Sequence, residues 1–294
     1  MDFKAIDFSH LLAVRDAAGR ERTRNSDFSF INLWAWRAEY KYDVCFEGGA
    51  MFVRFPDNVG GYIYSFPLGC ESDALALELI ERAGAKRFAG LSPRQLEVIG
   101  RLYPGRVTSE PQTDLFDYIY ELDKLAELGG KKLHNKRTHV RRFEESYPNY
   151  TFELVTRDNI GECILAVGLW LYGKDDAAFD TIPGESQAFE QTVLKYCELD
   201  LLGGLLRVDG NVAAFSIGEL LSEDTFVTHF EKAVPDMPGA YQVVNRDFAV
   251  LVKNTYPQVK YINREDDMGL PGLRQAKRSY YPEILEEKWR ASVD

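Results

Sequence analysis

The stretch at residues 201–248 constrains the fold of this chain more strongly than any other. Asp209-Gly210 tolerates the positive φ angles of a two-residue hairpin turn, and side chains alternate in character on the return strand. After a short polar break, residues 225–230 are rich in β-branched and aromatic side chains, and the charged pair Glu231-Lys232 ends this run. Apolar residues then recur at spacings of three and four. The stretch predicts a hairpin, a central strand over 225–230 and a helix over 239–254.

The junction between that strand and that helix is the first candidate position for a functional site. Unpaired N–H groups at a helix N-terminus attract negative charge, and a strand end commonly brings side chains to such a helix start. Glu231 and His229 lie at this strand end, on one face because strand side chains alternate with a period of two. A lone strand histidine is more often a hydrogen-bonded core residue, and this alternative stays open for His229.

The composition indicates a folded protein of one large or two modest domains. Of the 294 residues, 45% are hydrophobic and 13% aromatic, which is enough for a substantial core. No apolar run approaches the roughly 20 residues that span a bilayer, and residues 1–4 do not begin a secretory signal, so we expect a cytoplasmic protein. The cysteines lie far apart without a CxxC pair, which predicts free thiols rather than disulfides, and no metal site is predicted. They are Cys45, Cys70, Cys163 and Cys197.

A basic segment at residues 131–142 opposes the charge of the rest of the chain. It holds six Lys or Arg and two His without an acid, whereas the net charge is −11, so the other 282 residues carry −17. Its spacing is typical of a helix with positive charge around much of its circumference. The segment is either a solvated linker helix or the binding surface for a phosphate-rich partner, and the two alternatives are about equally well supported.

The order of elements divides the chain at about residue 128. Residues 1–128 show helical patterns followed by several strands, and the aromatic residues at 28–42 are expected in the core rather than on a base-stacking surface. Residues 129–294 hold the basic segment, a strand near 152–155, a helix running from about Thr156 to Tyr172, a helix over 186–197 and then the hairpin. A further strand, a basic helix and a final strand follow. We therefore predict two domains, 1–128 and 129–294.

This order of elements resembles the acyltransferase fold of the GNAT superfamily, and the first half resembles a degenerate copy of it. Residues 117–145, DYIYELDKLAELGGKKLHNKRTHVRRFEE, resemble the join between the two halves of Fem-type peptidyltransferases. Residues 262–282, INREDDMGLPGLRQAKRSYYP, together with GGLLRVDGNVAAFSIGE and THFEKA, resemble stand-alone relatives of the C-terminal catalytic domain of phosphatidylglycerol lysyltransferases. The resemblance implies an α+β fold of two tandem GNAT-like domains, each a mainly antiparallel twisted sheet flanked by helices.

The resemblance also implies an acyltransferase. The first hypothesis is transfer of an aminoacyl group from a charged tRNA to an amine or hydroxyl acceptor, without a cofactor. Acyl-CoA-dependent N-acylation and a catalytically silent binding module remain alternatives. The Gly-rich CoA turn of the superfamily is reduced here to Gly-Ala within residues 234–240, which disfavours CoA as the donor and leaves it as the alternative. No span corresponds to the membrane part of the lysyltransferases, so their lipid acceptor does not carry over, and the acceptor can be a small molecule, a peptide or a lipid headgroup.

Each candidate residue has a role under the first hypothesis. Glu231 would position or deprotonate the acceptor, His229 is a candidate base, and Tyr280 is a candidate acid. By resemblance, Lys277 and Arg274 would bind donor phosphate. The remaining candidates are Gly239 and Ala240 for donor phosphate, and Lys132, Lys136, Arg137 and Arg141 for tRNA.

The hypotheses differ in what the cleft should contain. A CoA enzyme should present free amides at residues 238–241, because pyrophosphate binds to such groups. A tRNA enzyme should carry the basic segment at the mouth of the cleft. A silent module should show Glu231 capped by a salt bridge and a cleft filled by side chains.

Overall fold

The computed structural model describes residues 1–171 and 184–294, and within them the strands form two sheets of seven strands each. Both sheets are mainly antiparallel and are flanked by helices, so the predicted fold class is confirmed. The helix predicted to reach Tyr172 is present as Ile160–Leu171, and Tyr172 itself lies outside the described residues.

The first sheet has the strand order β1-β2-β3-β4-β5-β14-β6. Its strands are β1 Lys4–Ala5, β2 Asp43–Glu47, β3 Ala50–Pro56, β4 Tyr62–Tyr64, β5 Arg87–Leu91, β6 Val107–Pro111 and β14 Trp289–Val293. Neighbours are antiparallel except β4 and β5, which are parallel.

The second sheet has the strand order β13-β7-β12-β11-β10-β9-β8. Its strands are β7 Asp117–Glu121, β8 Thr151–Leu154, β9 Leu202–Val208, β10 Asn211–Ser222, β11 Thr225–Ala233, β12 Tyr261–Asn263 and β13 Ile284–Glu286. The strand predicted over 225–230 is β11, and it is the middle one of the seven. Asp209 and Gly210 adopt φ angles of 49° and 78° between β9 and β10, which confirms the predicted hairpin turn.

Helices cover both sheets. They are α1 Leu11–Glu21, α2 Phe30–Ala35, α3 Arg37–Tyr40, α4 Asp73–Ala83, α5 Pro93–Leu102, α6 Leu122–Glu127, α7 His134–Ser146, α8 Ile160–Leu171, α9 Glu185–Leu194, α10 Ala240–Thr255 and α11 Pro271–Arg278. Short 3-10 helices lie at Phe8–His10, Ser26–Phe28 and Thr113–Leu115. The predicted helix over 239–254 is α10, which follows β11 as expected.

The two sheets exchange strands across the predicted boundary at residue 128. β7 precedes that boundary but pairs with β12 and β13 in the second sheet. β14 is at the other end of the chain but lies between β5 and β6 in the first sheet. Neither sheet is therefore built from one continuous half of the sequence.

The core also joins the two halves. One cluster of buried side chains contains Val14 of α1 and Phe30 of α2 together with Phe215 of β10 and Phe230 of β11. Burial of apolar surface stabilises a fold by about 25 cal/mol per Å². The shared cluster therefore packs α1 and α2, from the first half of the chain, directly against the second sheet. A second cluster packs α10 on the opposite face of that sheet, with Phe248 and Val244 fully or almost fully buried.

The feature that positions the site is the divergence of β11 from β12. These parallel strands pair only at Thr225–Tyr261, Phe226–Ile262 and Val227–Asn263. From residue 228 onward, β11 pairs only with β10 among the described strands, while the chain after Asn263 turns away into a loop. The two strand ends therefore splay apart and leave an opening between them.

A β-bulge at His229 reshapes β11 beside this opening. Ile217 pairs with Phe230 and Gly218 pairs with Thr228, so His229 is an extra residue on its strand. A bulge re-aims the side chain that it carries. A Cβ atom on Gly218 would collide with the backbone oxygen of Val227, so glycine is required opposite the bulge.

Across residues 1–171 and 184–294, none of the helices combines the length and the apolar character needed to span a bilayer.

Candidate active site

A cavity of about 950 Å³ fills the opening between the splayed strands. Its walls are residues 228–232 of β11, the loop at 264–266, helix α11 and side chains from the first half of the chain. Three sequence-predicted catalytic residues, Glu231, His229 and Tyr280, all line it. The structure therefore brings the candidates from β11 and from the C-terminal motif into one space.

His229 lies between two carboxylates. Its side chain is only 1% exposed, with Nδ1 2.9 Å from Oε1 of Glu265 and Nε2 3.3 Å from Oε1 of Glu219. Burial alone disfavours the charged imidazole, but the hydrogen bonds to Glu219 and Glu265 outweigh it and raise the pKa of His229 to about 9. The two carboxylates therefore favour the imidazolium form of His229.

Glu219 connects this histidine to the first half of the chain. It is buried, accepts hydrogen bonds from Arg15 at 2.9 Å and from the backbone N–H of Ile31 at 3.1 Å, and lies on β10. Although burial opposes ionisation, the bonds from His229 and Arg15 hold the pKa of Glu219 below its usual value. Through these bonds, Glu219 links α1 and α2 to His229, which lines the cavity.

Glu231 is held by three partners. Its Oε1 accepts from Nη2 of Arg264 at 2.6 Å, and its Oε2 accepts from Nδ2 of Asn245 at 3.0 Å and from Oγ of Ser216 at 3.3 Å. The salt bridge is the feature expected of a silent module, whereas the open cavity beside it is not. The carboxylate is fixed in orientation and still borders free volume.

The cavity wall near Glu231 is basic. Lys136 of α7 donates to Oγ of Ser279 at 2.7 Å, and its Nζ lies 4.0 Å from the ring centre of Tyr280. The Arg264 guanidinium lies 5.0 Å from the same ring centre. Burial, followed by the charge of Arg264, lowers the pKa of Lys136 to about 8, and burial raises the pKa of Tyr280, so its hydroxyl stays protonated.

Another part of the wall is acidic. The ammonium of Lys288, almost fully buried, lies 2.6 Å from Asp27, 2.8 Å from Asp117 and 4.0 Å from Asp266. Asp27 and Asp266 line the cavity. Burial, and then the neighbouring charge of Asp117, raise the pKa of Asp266 to about 7 against the opposing effect of Lys288. Three carboxylates thus share one buried cation.

An aromatic row forms a further wall. Trp36, Tyr40, Tyr42 and Phe55 follow one another with ring centres 6.0, 5.5 and 5.7 Å apart, and all four line the cavity. The expectation that the aromatic residues at 28–42 are core is therefore wrong for part of the segment. Phe28, Phe30 and Trp34 are buried, but α3 ends the helical segment with a left-handed residue, and Tyr40 and Tyr42 follow at the cavity edge.

The family model described as "Phosphatidylglycerol lysyltransferase, C-terminal" matches residues 20–292. The chain belongs to this family. Membership supports the predicted acyltransferase activity. No curated protein is similar enough to the sequence to count as a match.

Solved structures agree with the family. A conserved protein of unknown function from Bacteroides thetaiotaomicron is 30% identical, with 100% of each chain covered and a TM-score of 0.91. The C-terminal domain of a putative lysylphosphatidylglycerol synthetase from Agrobacterium fabrum is 19% identical, with 96% and 92% covered and a TM-score of 0.67. FemX is 9% identical, with 99% and 97% covered and a TM-score of 0.62, which shows a shared fold. The predicted resemblance is confirmed.

Within this family member, the predicted donor-phosphate residues lie in different places. Lys277 lines the cavity, but its Nζ donates to the backbone oxygens of Arg264, at 2.6 Å, and Asp266, and so holds the loop between them. Arg274 is outside the cavity lining and forms ion pairs with Asp267 at 2.7 Å and Asp114 at 2.6 Å.

The start of α10, where the superfamily's CoA turn would lie, is covered by α7. A Cβ atom on Gly239 would be 2.9 Å from the backbone oxygen of His139 and 2.9 Å from Cβ of Phe143. Ala240 is fully buried and its N–H donates to Met237. Gly239 and Ala240 therefore lie under α7. The next residue, Tyr241, is the first of α10 to line the cavity.

The basic segment becomes helical only from His134, so Lys132 precedes α7 and lies over the ring of Tyr281 at 5.3 Å. Lys136 reaches the cavity, which places α7 at its border. Arg137 donates to the backbone oxygens of Leu128 and Gly130. Arg141 is on the surface, 3.7 Å from Glu145. The segment is partly a structural joint and partly a charged surface beside the cavity.

Sequence reasoning missed several residues of the site. Arg264, Glu265 and Asp266 stand in the motif INRED, to which the sequence analysis assigns no role, and no sequence pattern marks Asp27 or Lys288. The three consecutive charges at 264–266 directly after a strand were a signal that could have found the loop. Asp27 and Lys288 gave none, because their pairing joins residues 261 positions apart.

Proposed function

We propose that this protein is an aminoacyltransferase, which takes an aminoacyl group from a charged tRNA and passes it to an amine or hydroxyl acceptor. We place the reaction in the cytoplasm, where charged tRNAs are used. The proposal narrows the acyltransferase activity that family membership supports.

The observation that carries the proposal is the acidic wall of the cavity. Among the described residues, Lys288 is the one cation within ion-pair distance of Asp27, Asp117 and Asp266, and the charge of Lys277 acts on Asp266 from farther away. Asp27 and Asp266 face the open volume of the cavity. Burying carboxylates without enough positive charge is costly, and the raised pKa of Asp266 reflects that cost. A substrate ammonium group would supply the missing charge. Every aminoacyl-tRNA carries an α-ammonium beside its reactive ester, whereas an acyl-CoA carries no ammonium at its thioester.

The aromatic row supports the same ligand. Tyr40 and Tyr42 are close enough to Asp27 for its charge to raise the pKa of both phenols, after the larger effect of burial. Aromatic faces attract ammonium groups, so rings beside carboxylates form a favourable environment for a cation. The covered start of α10 further favours tRNA over CoA as the donor, because Gly239 and Ala240 lie under α7.

The reaction requires one proton transfer and one bond exchange. The acceptor nitrogen or oxygen attacks the ester carbonyl carbon, the bond from that carbon to the ribose 3′-oxygen breaks, and the proton of the acceptor ends on the 3′-oxygen. Glu231 would accept the acceptor's proton, since its Oε1 retains a lone pair after bonding Arg264. The carboxylic acid of Glu231 would then pass the same proton to the leaving 3′-oxygen as its bond to the carbonyl carbon breaks, so Glu231 is ionised again and the step balances.

The experiment is a donor screen. The protein is incubated with tRNAs charged one at a time with radiolabelled amino acids, a small-molecule cell extract supplies the acceptor, and labelled acetyl-CoA is run in parallel. We expect label to move from at least one charged tRNA into an acid-soluble product that is distinct from the free amino acid, and Glu231→Gln to slow the movement by about 10²- to 10⁴-fold. Transfer from acetyl-CoA with none from any tRNA would contradict the proposal.

A further inference from the structure

The side chains of Arg264, Lys136 and Tyr280 meet at the cavity, and each has an N–H or O–H donor without an acceptor among the described residues. Arg264 follows β12, Lys136 is on α7, and Tyr280 follows α11, so three separate elements bring these side chains together. All three line the cavity.

Arg264 is buried with one side of its guanidinium unsatisfied. Its Nη2 bonds Glu231 at 2.6 Å, while its Nη1, buried, has no hydrogen-bond partner in the described part of the chain. Buried N–H groups of charged side chains are almost always bonded, because leaving one unmade costs the full desolvation of the group. The orphan nitrogen therefore indicates a missing acceptor.

Lys136 and Tyr280 have unused donors as well. Among residues 1–171 and 184–294, the Lys136 ammonium forms one hydrogen bond, to Ser279, and no ion pair. An ammonium carries three N–H donors, so two remain. The Tyr280 hydroxyl has no hydrogen bond to any residue in the same ranges, and burial keeps it protonated.

The charges of this region do not balance. Arg264 and Lys136 are two cations, and among residues 1–171 and 184–294 Glu231 is the one carboxylate within ion-pair distance of either. Lys277 is a third cation, and the charges of the nearby Glu265 and Asp266 act on it. Lys277 is occupied by the backbone oxygens of residues 264 and 266. The lowered pKa values of Lys136 and Lys277, both about 8, show that burial of these cations is not fully compensated. A bound anion would remove that cost.

We propose that Nη1 of Arg264, Nζ of Lys136 and the hydroxyl of Tyr280 bind a phosphate group of a substrate. A phosphate presents several acceptor oxygens in a tetrahedral arrangement, which suits donors that converge from different elements, and Arg and Lys are its usual protein partners. The site deepens the proposed aminoacyl transfer. The phosphate belongs either to the 3′-terminal nucleotide of the tRNA or to the acceptor.

The test measures phosphate binding by the protein alone. Calorimetric titration with inorganic phosphate is run at constant ionic strength, with chloride as the replaced anion. We expect saturable binding by the wild type and a loss of about tenfold or more in Lys136→Met, the range of a hydrogen bond to a charged group. Arg101→Met, which removes an exposed charge from α5, should bind phosphate like the wild type.

The outcomes separate clearly. Equal phosphate affinity in Lys136→Met and the wild type, or no binding beyond that of chloride, would overturn the site. Because Arg264 pairs with Glu231, its replacement risks misfolding, and Tyr280→Phe is therefore the second variant, with an expected loss of a few-fold. Competition by a CCA trinucleotide would assign the phosphate to the donor, and competition by sn-glycerol 3-phosphate would assign it to the acceptor.

This test does not depend on the donor screen. Phosphate binding lost in Lys136→Met, together with no transfer from any charged tRNA, would retain the phosphate site and reject the tRNA donor. Transfer from a tRNA with unchanged activity and phosphate binding in Lys136→Met would retain the donor and reject the site.

Discussion

Arg264 and Glu231 form an ion pair, with 2.6 Å between Nη2 and Oε1, where β11 and β12 cease to pair. The side chains are 14% and 11% exposed, so the pair is largely removed from water. It connects the two diverging strands across the cavity. Glu231 therefore has a structural partner as well as a proposed chemical role, and its replacement should affect both stability and transfer.

Glu231→Gln should lower the transfer rate by about 10²- to 10⁴-fold, the usual contribution of a positioned acid or base. The ion pair with Arg264 gives Glu231 a role in stability as well. Removing one partner of a buried pair costs about 3–5 kcal/mol, because the other charge is left unpaired. Denaturant unfolding should show this loss, and the double variant with Arg264→Met should recover part of the stability but none of the activity. A fully active, fully stable Glu231→Gln would contradict both roles.

His229 should make stability depend on pH. Its pKa rises from about 6.5 in the unfolded chain to about 9 in the folded protein. The stabilisation is therefore complete below about pH 6.5 and is lost as the pH rises through about 9, with a total on the order of 3 kcal/mol. The difference in free energy of unfolding between the wild type and His229→Gln should shrink over that range. Asn135→Ala, at an exposed position of α7 that carries no titrating group, is the control and should show a constant difference. A pH-independent difference for His229→Gln would show that the imidazole is neutral.

Asp266→Asn should weaken donor binding. Because the pKa of Asp266 is about 7, its carboxylate is mostly ionised above pH 7 and increasingly protonated below it. The KM for the charged tRNA should therefore rise as the pH falls from 8 to 6 in the wild type. Asp266→Asn should raise the KM at pH 8 by about tenfold or more and remove this dependence, since a charge-assisted hydrogen bond contributes about 1.5–3 kcal/mol. Glu145→Gln, an exposed acid of α7, is the matched control. An unchanged KM in Asp266→Asn would argue against an ammonium at this wall.

The exposed cations near α7 should contribute to tRNA affinity through salt-dependent contacts. If four phosphates are contacted, log affinity should fall against log salt with a slope of about −3 to −4. Arg141→Ala with Arg142→Ala should flatten the slope by about 1.5 and weaken all tRNAs alike, because phosphate contacts carry no sequence information. The melting temperature should stay nearly constant, as both side chains are exposed. Arg137 is left intact, since it caps the backbone oxygens of Leu128 and Gly130. A slope unchanged by the double substitution would make the segment a structural joint only.

Local sequence patterns predicted the elements but not all of their partners. The Asp209-Gly210 turn, the strand β11 and the helix α10 follow from residue types within a few positions of one another. The pairing of β7 with β12, and of β14 with β5, joins segments far apart in sequence, and no local pattern specifies the sheet that a strand enters. The C-terminal motif located Lys277 and Tyr280 beside the cavity, because that motif is specific to the family.

The bulge at His229 has a signal in the local sequence. Gly218 interrupts the long strand β10, and a glycine within a strand often marks a bulge or a close backbone approach. That signal predicts an irregular pairing opposite it, at β11. The partners of His229, Glu219 and Glu265, depend on the divergence of β11 from β12, so they could not be predicted from spacing. The acidic wall is likewise a product of distant contacts, with Lys288 reaching Asp27.

The central claim is that the cavity accepts a donor through its α-ammonium group, and N-acetylation of the donor tests it most directly. Single-turnover rates are compared for one charged tRNA that serves as donor and for the same tRNA after acetylation of its aminoacyl nitrogen, which removes the charge but keeps the ester and the RNA. We predict a rate at least 100-fold lower for the acetylated donor with the wild type, and a much smaller difference with Asp266→Asn. Equal rates for the two donors with the wild type would contradict the account.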